Sequence, residues 1–285
     1  MSAKMSASAR LDKALVDRGL ARSREEAVQL VEARSVRVNG AIAEKVTRQI
    51  RKGDALVVTN FAPRYVGRGA FKLLGAIEDI GLKPDKMVVC DLGSSTGGFT
   101  QVLLEAGAAY VLAVDVGKGQ MSERVASNPR VKLLEGVNAR TLTREQFQLP
   151  TLDLVVGDLS FISLSMLAPT VVETLLERRG LFLLLVKPQF ELDRATVSKG
   201  KGVVSDPLAW ERAIESVVGS FVSLGAIITA ITASKLRGAL GNQEFFIFGQ
   251  IGLEADVPLD SEVADMISQA ILFATVHDTP LLLEE

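Results

Sequence analysis

The chain has 285 residues, of which 48% are apolar and 23% charged, which is typical of a globular protein with one large and one small domain. A single cysteine, Cys90, excludes a disulfide framework and favours a reducing compartment. The first residues lack the apolar core of a signal peptide, and the longest apolar run, Leu181 to Val186, is too short to cross a bilayer. These features predict a cytoplasmic protein without membrane insertion.

Charge is distributed unevenly along the chain. Residues 1–72 hold 15 lysines and arginines against 7 acidic residues, a net charge of +8, whereas residues 73–285 hold 17 against 27, a net charge of −10. A basic head on an acidic body favours contact between the head and a polyanion such as nucleic acid. A merely solvated basic surface is the alternative.

Two short helices and a hairpin are predicted in the head. Leu11 and Leu15 share one face of the first helix. Ser23 begins the second helix, with Glu26 three residues later in a capping-box arrangement. The segment 36–40, Val-Arg-Val-Asn-Gly, predicts a short strand closed by an Asn-Gly turn.

The head resembles the alpha-L RNA-binding domain of a small-subunit ribosomal protein and of pseudouridine synthases. The resemblance covers residues 8–60 and rests on the Arg-Leu-Asp-x-x-Leu opening at Arg10 and the Val-x-Val-Asn-Gly turn at Val36. A generic small domain is the alternative. The resemblance implies that arginines contact RNA, and the candidates are Arg10, Arg18, Arg22, Arg24, Arg34, Arg37 and Arg68. We expect this RNA-binding domain over residues 1–60, a linker over 61–67 and a larger domain over 68–285.

In the larger domain, helical and strand patterns alternate. Strands are expected near residues 87–92, 110–115, 131–135, 152–157, 181–187, 226–233 and 244–250. This alternation predicts an α/β, Rossmann-like fold with a seven-stranded, mostly parallel sheet covered by helices on both faces. The turn before the last strand is too short for a parallel crossover, so that strand must run antiparallel.

The end of the first of these strands is the most informative segment. Asp91-Leu92-Gly93 leads through a glycine-rich turn into a helix, a unit that holds nucleotide-like ligands. The spacing of its glycines departs from the Gly-x-Gly-x-x-Gly dinucleotide fingerprint. The next strand ends at Asp115, whose carboxylate can accept hydrogen bonds from the two ribose hydroxyls of an adenosine. This order of parts favours S-adenosylmethionine (SAM) over NAD. The residues expected to hold it are Asp91, Gly93, Ser94, Ser95, Thr96, Gly97, Gly98, Phe99, Asp115, Val137, Asn138 and Asp158.

Charged residues lie at the ends of three other strands. Asp158 follows the fourth strand, Lys187 follows the fifth, and Glu244 begins the antiparallel strand, so all three should converge beside the glycine loop. Lys72, in the preceding helix, is the candidate fourth member. Ordinary strand-end charges in solvent are the alternative, but charges flanking such apolar strands are costly unless paired. One lysine could help to deprotonate a ribose 2′-hydroxyl while carboxylates steer it and the second lysine stabilises the alkoxide.

This set resembles the Lys-Asp-Lys-Glu set of the FtsJ-type ribose 2′-O-methyltransferases. With its head, the whole chain resembles the TlyA family, called hemolysins in older naming and understood as SAM-dependent rRNA 2′-O-methyltransferases. The supporting segments are residues 68–73, 91–99, 157–164, 186–191 and 241–244. The resemblance implies catalytic roles for Lys72, Asp158, Lys187 and Glu244, with SAM as cofactor and ribosomal RNA or ribosomal subunits as substrate. In the linker, Tyr65 stands where some members carry tryptophan.

Other interpretations stay open. A cytolysin and an RNA-binding protein with an inactive methyltransferase fold are the alternative functions. The segment 189–207, which contains Lys199 and Lys201, is expected to be either a mobile loop that closes over RNA or a disordered crossover. No Cys/His cluster has metal-ligand spacing, so no metal is expected. The single histidine, His277, is interpreted as incidental.

Overall fold

The structure is a computed structural model that describes residues 8–21, 23–32, 34–59, 64–149, 151–238, 240–254 and 256–276. Contacts divide the chain into two compact units, with the division between Arg68 and Gly69. The predicted limits of the linker lie near this division and stay a prediction. Arg22 and His277 lie outside the described residues.

The first unit combines two helices with short antiparallel strands. Its elements are β1 (Ala9–Arg10), α1 (Leu11–Asp17), α2 (Arg24–Glu32), β2 (Val36–Val38), β3 (Ala41–Ile42), β4 (Gln49–Ile50) and β5 (Leu56–Val58). β2 lies between β3 and β5, and β1 pairs with β4. Leu11 and Leu15 pack in its core, as their helical spacing predicts. Asn39 and Gly40 both have positive φ, 53° and 86°, as a tight hairpin turn requires.

The second unit alternates strands and helices. Its elements are α3 (Gly69–Ile80), β6 (Val88–Leu92), α4 (Gly98–Glu105), β7 (Tyr110–Asp115), α5 (Glu123–Ala126), β8 (Val131–Glu135), α6 (Arg144–Phe147), β9 (Leu154–Gly157), β10 (Gly180–Val186), α7 (Pro188–Glu191), α8 (Arg194–Lys199), α9 (Pro207–Val222), β11 (Ile227–Ala233), β12 (Phe245–Ile251) and α10 (Asp260–Val276). Short 3₁₀ turns cover Ala139–Thr141 and Leu164–Met166, and a π-helical stretch covers Thr170–Leu175.

The described strands of this unit form one seven-stranded sheet in the order β11-β12-β10-β9-β6-β7-β8. The strands from β10 to β8 in this order pair in parallel, and β12 is antiparallel to both of its neighbours. The predicted fold class and the antiparallel last strand are therefore confirmed. The sequence did not indicate that β12 inserts between β10 and β11, because strand order depends on contacts distant in the chain.

The register of the central strands decides which residues meet at the sheet edge. Leu92 pairs with Gly157, so the residues that follow them, Gly93 and Asp158, leave the sheet side by side. Val186 pairs with Phe245 on the antiparallel strand. The residue after β10 and the residue before β12 therefore lie at the same edge.

Apolar side chains cover both faces of the sheet. β6 and β9 are almost wholly buried, as their runs of valine and leucine predict for strands with a helix layer on each side. Trp210 on α9 is buried, packs against the ring of Phe245 at 5.6 Å and donates its indole N–H to the Val204 carbonyl at 2.8 Å. None of the described helices combines the length and apolar content needed to span a membrane.

Candidate active site

The glycine loop after β6 is shaped by close backbone contacts. Gly93 has φ +80°, and a Cβ atom there would lie 2.7 Å from the Asp158 carbonyl oxygen, so any side chain would clash with the backbone. Gly97 has φ +95° and caps the N-terminus of α4. The amide groups of Gly93 and Ser94 donate to the Val114 carbonyl at 2.8 and 3.2 Å. These contacts hold the loop at the carboxyl ends of β6, β7 and β9, where the sequence places a ligand.

Asp91 is a fully buried carboxyl group at the base of this loop. Thr100 donates its hydroxyl to Asp91 Oδ2 at 2.6 Å. Burial is the largest cause that raises the pKa of Asp91 to about 7, and the negative charge of Asp158 adds to the increase. Within the described part of the chain, Asp91 Oδ1 and the buried Ser94 Oγ have no hydrogen-bond partner. Two buried polar atoms without partners at a glycine loop fit a ligand that carries a cationic or donor group.

Asp115 links the glycine loop to the loop that follows β7. Its Oδ2 accepts the Ser95 amide at 2.8 Å, and its Oδ1 accepts the Gly117 amide at 2.7 Å. Each carboxylate oxygen has a second lone pair, so both can accept a further hydrogen bond from a ligand. The next residue, Val116, is 72% exposed. The sequence pattern assigns Val116 no role, although an apolar residue directly after a strand-terminal acid is a signal that could have indicated it.

Val137 and Asn138 follow β8, and Val137 contacts the backbone of Asp115. The Val137 amide donates to the Asp115 carbonyl at 3.1 Å. Asn138 Oδ1 accepts the Arg140 amide at 3.0 Å and so caps the short 3₁₀ turn. Val137, Val116 and Asp115 therefore surround one end of the glycine loop, in a position that suits the adenosine end of a nucleoside ligand.

Four charged side chains meet at the other end of the loop. Lys72 Nζ lies 2.6 Å from Glu244 Oε2 and 3.4 Å from Asp158 Oδ2. Lys187 Nζ lies 2.5 Å from Asp158 Oδ1. The order Glu244–Lys72–Asp158–Lys187 alternates in sign and has no net charge, which offsets the desolvation of these groups.

The tetrad, as we call Lys72, Asp158, Lys187 and Glu244, is buried, so water screens the attraction between its opposite charges only weakly. Both lysines are 6% exposed and Glu244 is 2% exposed. Burial alone would raise the pKa of Asp158, but Lys72 and Lys187 outweigh that effect, and the pKa of this carboxyl lies below its usual value. Asp158 is therefore ionised at neutral pH and holds a cation on each of its oxygens.

A short loop brings two further residues to Lys187. The Lys187 ammonium donates to Ser160 Oγ at 2.9 Å. Phe161 is 91% exposed, has φ +66° and lies with its ring 5.1 Å from that of Phe190. An exposed aromatic ring held in a strained backbone conformation is unusual and points to function. The sequence pattern predicts no role for Ser160 or Phe161, because the exposure of a loop residue does not follow from its pattern.

Five of the predicted RNA-contacting arginines, at positions 10, 18, 24, 34 and 37, have partners within the first unit. Arg10 and Arg24 lie 3.2 and 2.9 Å from carboxylate oxygens of Asp12. Arg34 pairs with Glu44 at 3.2 Å. Arg18 donates to the carbonyls of residues 51 and 54, and Arg37 donates to that of residue 40. Carbonyl contacts do not compensate a charge, and Arg18 and Arg37 have no ion-pair partner among the described residues.

Metal ligands do not gather anywhere in the described ranges: no group of three or more His, Cys, Asp or Glu side chains there could hold an ion. The segment 189–207 contains α7 and α8, so for its described residues the interpretation as a disordered crossover is wrong. Asn242 holds its far end by donating to the Gly202 carbonyl at 2.9 Å and accepting the Val204 amide at 2.8 Å.

Comparisons with known proteins agree with this arrangement. Residues 65–251 match the FtsJ-like methyltransferase family, and residues 9–56 match the S4 domain. The 16S/23S rRNA (cytidine-2′-O)-methyltransferase TlyA of Mycobacterium tuberculosis is 44% identical over 245 residues, which are 86% of this chain and 90% of that protein. Hemolysin A of Brachyspira hyodysenteriae is 34% identical over 83% of this chain and 97% of its own length.

A solved structure from Streptococcus thermophilus that carries the hemolysin name has a TM-score of 0.72 and 31% identity, and the match covers 96% of this chain and 100% of that one. The resemblance drawn from the motifs is confirmed. The chain belongs to the FtsJ-like methyltransferase family and, within it, to the TlyA proteins.

Proposed function

We propose that this chain transfers a methyl group from SAM to the ribose 2′-oxygen of a nucleotide in ribosomal RNA. The observation that carries the proposal is the buried, charge-alternating tetrad beside a glycine loop with unsatisfied polar atoms. The names of the relatives, which specify rRNA and the cytidine 2′-oxygen, support the substrate class. A ribosomal substrate would also agree with the cytoplasmic location expected from the sequence.

The glycine loop has the groups needed to hold SAM. Asp91 Oδ1 and Ser94 Oγ can bind the amino-acid end of SAM, since both are buried polar atoms that have no partner in the described residues. Asp115 can accept from the ribose hydroxyls, and Val116 and Val137 can contact the adenine. When bound, SAM supplies a methyl group on a positively charged sulfur, which is already activated towards a nucleophile.

The tetrad can prepare the nucleophile. A ribose hydroxyl is a weak nucleophile, so its proton must leave as the new O–C bond forms. Once Lys187 has released a proton to solvent it can take the proton of the ribose hydroxyl, and Asp158 at 2.5 Å then holds the ammonium that re-forms. Lys72 lies between Glu244 and Asp158, and its ammonium can stabilise negative charge on the 2′-oxygen. Fixed, preorganised charges in a site with little water are effective catalysts because they need no reorganisation.

RNA contact is assigned to two places. Arg18 and Arg37 in the S4 domain provide uncompensated positive charge for phosphates. Phe161, three residues after Asp158 and 91% exposed, provides a flat surface on which a base of unpaired RNA can stack. Stacking beside Lys187 would bring the ribose of that nucleotide towards the tetrad.

The test is methyl transfer from radiolabelled SAM to purified ribosomal subunits. The wild-type chain should label one subunit or both, and Lys187→Ala should reduce kcat at least 100-fold with SAM affinity preserved. Lys83→Ala, at an exposed lysine that follows α3, is the matched control and should retain kcat. Unchanged transfer by Lys187→Ala, or haemolysis that persists in Lys187→Ala without SAM, would contradict the proposal.

A further inference from the structure

The catalytic tetrad is supported by contacts between two short segments. We call residues 158–164 the Asp158 loop; it follows β9 and faces the segment formed by Lys187 and α7. Lys187 contacts Asp158 and Ser160 of this loop, at 2.5 and 2.9 Å. Phe190 of α7 packs on Phe161 of the loop, with ring centroids 5.1 Å apart. These contacts all lie in the first half of the loop.

Glu191, the last residue of α7, holds the second half of the loop. Its Oε2 accepts the Ser163 hydroxyl at 2.6 Å, and its Oε1 accepts the Leu164 amide at 2.8 Å. Leu164 begins a 3₁₀ turn, where an amide has no carbonyl partner within the turn, so the carboxylate completes its hydrogen bonding. Both oxygens of one carboxylate are therefore committed to anchoring one loop.

The environment of Glu191 differs from that of an ordinary surface acid. Among the described residues it has no ion-pair partner, and its contacts are neutral donors of the Asp158 loop. Burial raises the pKa of Glu191 above its usual value, and hydrogen bonds from Ser163 and Leu164 oppose that increase. A partly buried carboxylate without a cation costs free energy, which its two hydrogen bonds to the loop offset.

We propose that Glu191 is a positioning residue that fixes the Asp158 loop against α7, so that Ser160 and Phe161 stay in place beside Lys187. The proposal rests on the function proposed above. Phe161 has φ +66°, a conformation that a bulky residue keeps only when its surroundings hold it. Anchors on both sides of Phe161, at Asp158 and at Ser163–Leu164, supply that restraint.

Loss of the Glu191 contacts should slow methyl transfer. Without the Glu191 contacts, the loop can relax away from its left-handed turn at Phe161, and Ser160 loses its position on Lys187. Misplacement of a reacting group by about 1 Å costs on the order of 100-fold in rate. Asp91 and Asp115 lie on other strands and do not contact Glu191, and Asp158 is also held by Lys72 at 3.4 Å, so the affinity for SAM should not change.

The test compares Glu191→Ala with Glu191→Gln in the full-length protein, using labelled SAM and ribosomal subunits. Glu191→Ala should lower kcat roughly 10- to 100-fold with SAM affinity, measured by calorimetry, unchanged. Glu191→Gln should restore most of kcat, because its amide can accept from Leu164 and donate to Ser163. Glu215→Ala, at an exposed position of α9, is the control and should behave as wild type.

A double-mutant cycle with Ser163→Ala tests whether the residues act through one contact. The combined variant should be little worse than Glu191→Ala alone, since each change removes the same anchor. A wild-type value of kcat in Glu191→Ala would overturn the positioning role. A general loss, in which kcat, SAM affinity and melting temperature all fall and Glu191→Gln restores none of them, would overturn it as well. Absence of ribose methylation by the wild-type chain would instead overturn the proposed function itself.

Discussion

At the scale of single residues, the buried carboxyl of Asp91 determines a pH dependence of stability. Its folded-state pKa of about 7 lies above the unperturbed value of 3.8, so the folded protein keeps a proton that the unfolded chain loses. Its contribution to stability is therefore complete below about pH 4 and is lost as the pH rises through about 7, by an amount on the order of 4 kcal/mol.

Asp91→Asn should remove this loss, because an amide cannot ionise but still accepts the Thr100 hydroxyl. We expect the free energy of unfolding in urea to fall less between about pH 4 and pH 8 in the variant than in wild type. The difference between the two proteins is the quantity to measure, since other carboxyls such as Asp158 shift in the opposite direction. Parallel pH profiles would show that Asp91 ionises normally.

Two glycines separate the effect of backbone strain from that of steric contact. Gly93 and Gly81 have φ +80° and +67°, but a Cβ at Gly93 would lie 2.7 Å from the Asp158 carbonyl, whereas at Gly81 nothing lies within 4 Å. Gly81→Ala should cost about 1–2 kcal/mol with SAM affinity unchanged. Gly93→Ala should cost more and abolish SAM binding in calorimetry. Equal effects of the two changes would argue against a close approach of the loop to Asp158.

At the scale of elements, Asn242 ties the segment after α8 to the start of β12. Its side chain accepts the buried Val204 amide and donates to the Gly202 carbonyl, two residues before Glu244. Asn242→Ala should cost about 1–3 kcal/mol in urea unfolding, because a buried amide loses its partner. Asn128→Ala removes a similar contact, to the Arg130 amide at 2.9 Å in an exposed position, and should cost less than about 1 kcal/mol. A smaller loss for Asn242→Ala than for Asn128→Ala would contradict this anchoring role.

The strands and helices also show which parts of the fold and the site the sequence pattern predicts. The ends of apolar strands indicated Asp91, Asp115, Asp158 and Lys187, because every parallel strand delivers its last residue to the same edge. Glu244 could be placed there because a short turn forces an antiparallel return. The insertion of β12, the helices of segment 189–207 and the exposure of Phe161 could not be predicted, because each depends on contacts between residues far apart in the sequence. Glu191 belongs to segment 186–191, which carries the resemblance, but its contacts could not be predicted, since its partners are backbone and hydroxyl groups.

At the scale of the whole molecule, the net positive charge lies in the head and the net negative charge in the body. The first 72 residues carry a net charge of +8 and the rest −10, so attraction to RNA must come mainly from the head. Arg37→Glu should raise KM for ribosomal subunits about tenfold at low salt and make KM depend less steeply on salt than in wild type, while SAM affinity stays the same. Arg212→Glu on α9, also an exposed arginine, is the control. An equal rise in KM for both variants would indicate that general charge, and not the S4 domain, governs binding.

The central claim is that the methyl group reaches a ribose 2′-oxygen, and alkaline hydrolysis of the labelled RNA tests it most directly. A 2′-O-methyl group removes the nucleophile that cleaves the adjacent phosphodiester, so the label should appear in an alkali-resistant dinucleotide and should be absent with Lys187→Ala. Label recovered in single nucleotides would place the methyl group on a base and contradict the account.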